Sequence, residues 1–332
     1  MFKITAIGGD GIGPEVLKGA IAVLESLDLN FDFIEMEAGK VCLMKNGTTI
    51  PEETIKASKK SHATLFGAIT TVDNQESPII ALRKNLNVYA NLRPIKSFEG
   101  INSLYDGLDF CIVRENTEGL YSESEYYDGE DTAVARRIIT EKASEKIINF
   151  AFKKAVEDNR EKVTCVHKAN VLKKTDGIFK EIFYKISNNY PKIIAEDYYV
   201  DAMAMYLILR ANKFDYIVTT NLFGDILSDE AAGLVGGLGL APSGNIGDKY
   251  GLFEPVHGSA PDIAGENISN PIAMILSAVM MLDFLDEKYY SNKIRIAVEN
   301  VLKKKKIITP DLGGNNKTMD MANAVIDELK NL

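Results

Sequence analysis

The chain has 332 residues, of which 46% are hydrophobic and 26% are charged, and its formal net charge is −9. This composition suits one large or two medium globular domains, and the negative charge argues against a nucleic-acid or anionic-membrane partner. The longest apolar stretch, "PIAMILSAVMML" at 271–282, is too short to span a bilayer, and the first residues contain no apolar signal segment. Because the three cysteines are scattered, with no CxxC pair, we expect a reduced, cytoplasmic protein.

Short runs of β-forming residues alternate with amphipathic stretches along the chain. The predicted strands cover 2–9, 31–38, 63–70, 88–95, 108–116, 162–170 and 214–221. The predicted helices begin at Pro14, cover 52–60, 78–86 and 141–158, and then include two helices after 170, one from 221 and two near the C-terminus. This alternation indicates an α/β protein. Gly and Pro are frequent over 233–265, which we interpret as loops.

The segment 121–140 departs from the alternation. A tyrosine-rich run precedes an Asp-Gly turn at 128–129, and an alternating pattern follows. This is the pattern of a β-hairpin. We therefore expect a hairpin that projects from the α/β framework.

The glycine-rich segment "IGGDGIGPE" at 7–15 follows a strand and opens a helix. Its glycines do not fit G-x-G-x-x-G, and no acidic residue closes the unit at the distance that a dinucleotide site requires. We therefore do not interpret the segment as a Rossmann fingerprint.

Asp225 and Asp229 lie four residues apart in "NLFGDILSDEAAG", at the start of a predicted helix. Residues at this spacing share a helix face, and like charges there cost roughly 0.2–0.5 kcal/mol unless something offsets them. Two interpretations stay open. The acids complement the helix dipole, or they bind a divalent cation.

Three arginines, Arg83, Arg93 and Arg114, lie near the ends of predicted elements. Each alone is typical of a surface salt bridge, but three guanidinium groups together would suit a di- or tricarboxylic acid. Lys168 follows a strand and is either solvated or a general base. Tyr121 is either a packing residue or a proton donor.

The two histidines near these segments have different contexts. His167 is interpreted as structural, because no second histidine lies at metal-ligand spacing. His257 lies in a Gly/Pro-rich loop, "FEPVHGSAPDIAG", whose backbone could approach a ligand closely.

Taken together, these segments resemble the β-decarboxylating 3-hydroxyacid dehydrogenases, the family of isocitrate, 3-isopropylmalate and homoisocitrate dehydrogenases. The resemblance covers nearly the whole chain and rests on blocks in a fixed order. They are "GGDGIGPE", "YANLRP", "RENTEGLY", "VTCVHKANVLK", "NLFGDILSD", "GLAPSGNIGD", "EPVHGSAPDIAG" and "TPDLGG".

The resemblance implies the α/β fold of this family, with two α/β domains and a β clasp, and not a Rossmann fold. The large domain would comprise 1–88 and 236–332, and the smaller one 89–235. The hairpin at about 119–141 would form the clasp of a homodimer with shared active sites, with tetramer formation left open.

The resemblance also implies the catalytic groups. Mg²⁺ or Mn²⁺ would be bound by Asp225, Asp229 and, from the neighbouring subunit, Asp201. Hydride would pass from C2 of the substrate to a nicotinamide, and the resulting β-keto acid would lose CO₂. The substrate and catalytic positions implied are Arg83, Arg93 and Arg114 on the malate part, Lys168 as the base at the C2 oxygen, Tyr121 as the acid that protonates the enolate, and Asn170 beside Lys168.

The cofactor site implied by the resemblance is the loop around 254–270. Asp262 and Ile263 stand where NAD-using members carry Asp-Ile and NADP-using members carry Lys-Tyr. A carboxylate can accept hydrogen bonds from the ribose hydroxyls but would repel a 2′-phosphate, so we expect NAD. The other expected cofactor residues are Glu254, His257, Gly258, Ala260 and Asn270, with Thr70 and Thr71 nearer the nicotinamide.

The substrate depends on the segment before Arg83. Ser77, Ile79 and Ile80 in "SPII" match homoisocitrate dehydrogenases of some lineages best, so homoisocitrate is the first expectation. Two apolar residues at 79 and 80 also approach the 3-isopropylmalate pattern, which is the alternative, and isocitrate is the third. A catalytically silent regulatory subunit is the alternative from another class. It is disfavoured because the whole catalytic set is present.

Overall fold

The computed structural model describes residues 1–122 and 124–332, which divide into two compact units. The first unit comprises Met1–Asn87, Ser97–Asp106 and Ala232–Leu332, and the second comprises Val88–Lys96 and Gly107–Ala231. The segment 97–106, which the predicted division assigned to the smaller domain, belongs to the first unit. The reason is a backbone contact, since the amide of Leu104 donates to the carbonyl of Leu234 at 3.0 Å.

The strands, in chain order, are β1 (Phe2–Gly9), β2 (Phe31–Met36), β3 (Ala63–Ala68), β4 (Ala90–Lys96), β5 (Asp109–Glu115), β6 (Glu125–Tyr127), β7 (Ala133–Ala135), β8 (Lys162–His167), β9 (Ile194–Tyr199), β10 (Tyr216–Thr219), β11 (Pro242–Ile246) and β12 (Gly251–Pro255). The helices are α1 (Gly13–Glu25), α2 (Lys40–Asn46), α3 (Glu52–Lys60), α4 (Pro78–Leu86), α5 (Glu141–Glu157), α6 (Thr175–Ser187), α7 (Val200–Arg210), α8 (Asn221–Leu234), α9 (Ile272–Phe284), α10 (Lys288–Lys304) and α11 (Thr318–Leu329).

The first unit is built on strands in the order β2-β1-β3-β12-β11. All neighbours are parallel except β11, which runs antiparallel to β12. Helix α9 lies against β11 and β12, and every residue from Ile272 to Leu282 is buried. This burial explains why the stretch is apolar on all sides and shows no amphipathic pattern.

Two sequence interpretations in this unit were wrong. The segment 233–265 is not all loop, because it contains β11 and β12, and three C-terminal helices are present where two were predicted. Two glycines of these strands reflect close packing, since a Cβ at Gly251 would lie 2.6 Å from the ring of Phe253 and one at Gly244 would lie 2.9 Å from the methyl group of Met280.

The second unit has the strand order β4-β5-β10-β8-β9. Strand β4 is antiparallel to β5, and the neighbours β5, β10, β8 and β9 are parallel. The strand β9 was not predicted and occupies the edge beside β8. Because β5, β8 and β10 are parallel, their carboxyl ends lie along the same edge of the sheet, which is where α/β proteins place their ligand sites.

The predicted hairpin is present as the antiparallel pair β6–β7. The amide of Asp128 donates to the carbonyl of Thr132 at 2.7 Å across the turn. Glu123, within the predicted hairpin, lies outside the described residues. None of the described helices is both long and apolar enough to cross a lipid bilayer.

Candidate active site

Two buried arginines of the second unit converge on helix α8. Arg114, the sixth residue of β5, donates from Nε to Asn221 at 2.9 Å and forms an ion pair with Asp225. Arg93 on the neighbouring strand β4 lies 3.4 Å from Asp225 and 3.2 Å from Asp229. The antiparallel pairing of β4 and β5 brings both guanidinium groups to the start of α8.

The two arginines compensate the two carboxylates that the sequence placed on one helix face. Burial, opposed by the charge of Arg93, raises the pKa of Asp229 above its ordinary value, and the charge of Asp225 adds to the rise. Asp229 is 55% exposed while Arg93 is 7% exposed, so the carboxylates lie at the open side of the cluster. The arrangement is therefore a floor of two buried guanidinium groups with an acidic rim formed by Asp225 and Asp229.

Tyr121 joins this cluster from a short 3₁₀ turn, Leu120–Ser122. Its hydroxyl donates to Asp225, and the guanidinium carbon of Arg114 lies 4.9 Å from its ring centroid. Desolvation, together with the hydrogen bond to Asp225, raises the pKa of Tyr121, so the phenol keeps its proton near neutrality. A protonated phenol beside a carboxylate-binding cluster can serve as a proton donor.

Lys168 follows directly on β8, and its Nζ lies 2.7 Å from Asp201 on the first turn of α7. Asp201 is 67% exposed, and hydrogen bonding to Lys168 lowers its pKa. Asn170 is exposed in the turn that follows. This second cluster presents an ammonium group and a carboxylate at the surface of the unit.

The carboxylates expected to bind a metal form two groups. Among the described residues of one chain, no set of three or more His, Cys, Asp or Glu side chains is close enough to hold a metal ion. Asp225 and Asp229 share Arg93, and Asp201 pairs with Lys168. The donor chemistry nevertheless fits Mg²⁺ or Mn²⁺, since all three residues offer hard oxygen ligands and two of them lie at the exposed rim.

Arg83 and Glu254 form a buried ion pair in the first unit. Nη2 of Arg83 lies 2.8 Å from Oε1 of Glu254, with exposures of 9% and 13%, and the amide of Asn245 donates to the same oxygen. The Nε of Arg83 is buried and has no hydrogen-bond partner among the described residues. The guanidinium thus keeps an unused donor for an anion.

The loop at 254–270 contains a buried ring nitrogen without a partner in the part of the chain that the structure describes and a residue with a positive φ. Nδ1 of His257 faces the carbonyl of Gly258 at 3.0 Å, while its buried Nε2 has no partner among the described residues. Burial lowers the pKa of His257, so the ring is neutral and Nε2 can accept a hydrogen bond. Ala260 has a φ of +37°, a strained conformation for a residue with a Cβ. Asp262 is exposed and Ile263 is half-buried.

Two other expected cofactor residues are held by internal hydrogen bonds. The hydroxyl of Thr70 lies 2.8 Å from that of Ser259, which joins it to the loop at 254–270. Asn270 donates to Asp311 at 2.9 Å and accepts from the amide of Ile272 at the start of α9. Both the nitrogen and the oxygen of the Asn270 side-chain amide are therefore used in hydrogen bonds that hold the loop. Thr71 is exposed beside Thr70.

Comparison with known proteins shows the family of the chain. The family model described as isocitrate/isopropylmalate dehydrogenase matches residues 3–325. The chain belongs to this family. It is 55% identical over 329 residues to a 3-isopropylmalate dehydrogenase of Methanothermobacter thermautotrophicus, covering 99% of both chains. It is 52% identical over 346 residues to a homoisocitrate dehydrogenase of Methanocaldococcus jannaschii, covering 99% of this chain and 98% of the relative.

The solved structures extend the comparison to the fold. An isocitrate dehydrogenase from Methylococcus capsulatus superimposes with a TM-score of 0.96 at 42% identity, covering 99% of this chain and 100% of that one. The predicted family and fold are thus confirmed, and the protein is a β-decarboxylating dehydrogenase. Members of this family generally use NAD(P) and Mg²⁺ or Mn²⁺.

Asp10, which the sequence analysis did not single out, holds the backbone of Thr70, an expected cofactor residue. Its buried carboxylate accepts from the amides of Lys40 and Val41 at the start of α2, at 2.8 and 3.0 Å. The same group accepts from the amide of Thr70 at 2.9 Å. In this dehydrogenase the segment "GGDGIGPE" therefore orients Thr70. No local pattern identifies Asp10, because its partners lie 30 and 60 residues away.

Proposed function

We propose that the protein catalyses the NAD-dependent oxidative decarboxylation of an (R)-malate with a substituent at C3. The observation that carries the proposal is the cluster of Arg93, Arg114, Tyr121 and Asp225 at the edge of the second unit. It combines two buried guanidinium groups for a carboxylate with a protonated phenol.

The chain's own groups divide the work as follows. Arg93 and Arg114 bind and orient a substrate carboxylate, because planar guanidinium groups match its geometry. The neutral amine of Lys168 accepts the proton of the C2 hydroxyl, and the ammonium group so formed later returns a proton to the oxygen. Tyr121 gives a proton to C3 after CO₂ has left. Arg83, with its unused Nε, supplies a third cation for the substrate.

The cofactor and the metal are assigned from the donor sets. The loop at 254–270 would hold NAD, which would supply the hydride acceptor for C2 of the substrate. Mg²⁺ or Mn²⁺ would be held by Asp225 and Asp229 together with Asp201 of a second copy, and it would polarise the substrate oxygens. The exposed carboxylate of Asp262 favours NAD over NADP, because it would repel a 2′-phosphate.

We propose a homodimer in which Lys168 and Asp201 of one copy complete the site of the other. Helix α7 exposes large apolar side chains next to these residues: Met205 is 48% exposed, Ile208 is 55% and Leu209 is 65%. Ile226 on α8 is 58% exposed as well. Large apolar side chains that are exposed together on a helix are typical of a protein interface.

For the substrate, we propose 3-isopropylmalate first and homoisocitrate second, which reverses the order expected from the sequence. Ile79 and Ile80 on the first turn of α4 are only partly buried, which favours an apolar C3 substituent. The relative at 55% identity is named for 3-isopropylmalate. Homoisocitrate remains a candidate because Ser77 offers a hydroxyl to a terminal carboxylate and because a relative at 52% identity is named for it.

The test is NADH formation with Mg²⁺ on 3-isopropylmalate, homoisocitrate and isocitrate separately, with kcat/KM compared. Replacing Ile79 with Ala removes three methyl or methylene groups from the proposed contact with the C3 substituent and should lower kcat/KM for 3-isopropylmalate about tenfold or more. Ser77→Ala is the matched variant and should instead lower the value for homoisocitrate. A homo-oligomer that reduces NAD with none of the three would support the regulatory subunit.

A further inference from the structure

Two buried side chains hold the backbone on either side of Lys168. Asp176, fully buried in the first turn of α6, accepts from the amide of Lys168 at 2.6 Å. His167, also fully buried, accepts at Nδ1 from the amide of Ala169 at 3.1 Å. Because Nδ1 is an acceptor, the proton of the neutral ring is on Nε2, which donates to Asp197 at 2.9 Å. The peptide groups flanking Lys168 are therefore fixed from the interior of the unit.

The anchor at Asp176 is itself held by Arg137. The guanidinium forms an ion pair with Oδ1 of Asp176 and donates to the hydroxyl of Thr175 at 2.8 Å, and this hydroxyl donates to the same Oδ1 at 3.4 Å. Oδ2 is the oxygen that accepts from the amide of Lys168. Arg137 is only 14% exposed. Removal of Arg137 would leave the charge of Asp176 buried and unpaired, which would strongly destabilise the folded protein.

Arg137 also reaches the helix that carries the acidic rim. Its Nη2 donates to the hydroxyl of Thr220 at 3.0 Å, and its guanidinium carbon lies 5.2 Å from the ring centroid of Phe223. Thr220 directly precedes α8, and Phe223 lies two residues before Asp225. One guanidinium thus connects the Lys168 segment to the start of α8.

The same arginine belongs to the return of the hairpin. It follows β7 by two residues and precedes Ile138, which forms a β-bridge with Gly119. The hairpin, the Lys168 segment and the start of α8 are consequently joined through Arg137.

We propose that Asp176, held by Arg137, is a positioning residue for Lys168 and acts through the backbone N–H of that lysine. The inference rests on the proposed role of Lys168 as the base. The side chain of Lys168 has four rotatable bonds, and the amide anchor fixes the point from which they start. A displacement of about 1 Å at a catalytic group can cost about 100-fold in rate. The alternative is that Asp176 only complements the dipole of α6.

The matched control is Asp215. It accepts from backbone amides where β8 begins, whereas Asp176 accepts from the amide of Lys168 directly after β8 ends. Its Oδ2 accepts from the amides of Glu161 and Lys162 at 3.1 and 3.0 Å, where β8 begins. Asp215 and Asp176 thus do the same local chemistry on β8. Only Asp176 does it beside Lys168.

The experiment is a double-mutant cycle on kcat with the full-length protein. Asp176→Asn should lower kcat about 10- to 100-fold while KM for the substrate changes less than about threefold. In the Lys168→Ala background the same change should have no further effect, because the group it positions is absent. Asp215→Asn should leave kcat unchanged in both backgrounds. Arg137→Lys, which keeps the charge but loses the fork, should lie between wild type and Asp176→Asn.

Amide hydrogen exchange of the peptide containing Lys168 gives a readout that is independent of turnover. Exchange there should be at least about tenfold faster in Asp176→Asn than in wild type, and Asp215→Asn should not change it. Equal losses of kcat from Asp176→Asn with and without Lys168, or unchanged exchange, would overturn the inference. A fully active Lys168→Ala enzyme would instead refute the proposed base and leave the anchor itself unaffected.

Discussion

Gly224 on α8 lies directly against Arg114 on β5. A Cβ at position 224 would come within 2.7 Å of both the Cβ and the Cγ of Arg114 and 3.2 Å from its Cα. Only glycine therefore allows α8 to approach the strand closely enough for Arg114 to reach Asp225. The glycine in "NLFGDILSD" is a packing requirement of the site.

The variant Gly224→Ala should accordingly lower the free energy of unfolding by about 1–3 kcal/mol, the usual range for overpacking. Gly233→Ala on the same helix is the control, because nothing lies within 4 Å of its added Cβ. It should be neutral or stabilising by up to about 1 kcal/mol, since alanine favours helix. Urea denaturation of the two variants checks the contrast. Equal stabilities would show that α8 shifts without cost.

Metal removal should abolish turnover. Treatment with EDTA should reduce NADH formation to background, and added Mg²⁺ or Mn²⁺ should restore it. Asp229→Asn should weaken Mn²⁺ binding at least about tenfold, which corresponds to about 1.4 kcal/mol, as measured by titration calorimetry with substrate present. The exposed Asp106→Asn serves as the control for the lost charge. Undiminished Mn²⁺ affinity in Asp229→Asn would remove this residue from the metal site.

Shared active sites predict complementation between inactive variants. Lys168→Ala and Asp225→Asn should each retain only a small residual activity alone. After they are unfolded together and refolded, half of the dimers are mixed, and each mixed dimer has one site with both native residues. About a quarter of the wild-type activity should return, as expected for a symmetric dimer whose two active sites each contain residues of both copies. No recovery despite mixed dimers on native mass spectrometry would indicate that each copy is complete.

The cofactor preference should follow residues 262 and 263. The double variant Asp262→Lys with Ile263→Tyr replaces a carboxylate by an ammonium group, so the repulsion of a 2′-phosphate becomes attraction. The ratio of kcat/KM for NAD to that for NADP should fall at least about 100-fold, or about 2.7 kcal/mol. Asp327→Lys on α11 introduces the same charge away from the loop and should leave the ratio unchanged.

Glu118 should make stability depend on pH. Desolvation raises the pKa of its carboxyl from 4.5 to about 7, although hydrogen bonds from Thr140 oppose the rise. Between these two values the folded state binds more protons than the unfolded state, so the free energy of unfolding falls as the pH rises through that window. Glu118→Gln should therefore gain stability relative to wild type between pH 5 and pH 8.

The check on Glu118 is the difference in Tm between variant and wild type at the two pH values. Glu141→Gln, an exposed carboxylate in the first turn of α5, provides the charge-matched comparison. A Tm difference for Glu118→Gln that is the same at both pH values would mean that this carboxyl does not titrate in the window.

Local sequence determined a part of the secondary structure of this protein. The strands β1, β3 and β5 and the helices α1, α4 and α5 were predicted within a few residues, because each has the hydrophobic period of its own element. The hairpin followed from its Asp-Gly turn. The family followed from ordered blocks that span the chain.

Other features were decided only by tertiary structure. The sequence predicted loop at β11 and β12 because glycine and proline are frequent there. Glycine is required at position 251 only because the ring of Phe253 packs against it in the folded chain. The edge strand β9 is only partly buried, so its side chains carry no clear alternation. Lys168 and Asp176 are eight residues apart, and Arg137 reaches both segments from the hairpin. The sequence thus determines the hydrophobic period of each element. The pairing of a buried charge is decided only by the folded chain, because burial removes the water that would otherwise hydrogen-bond to that charge.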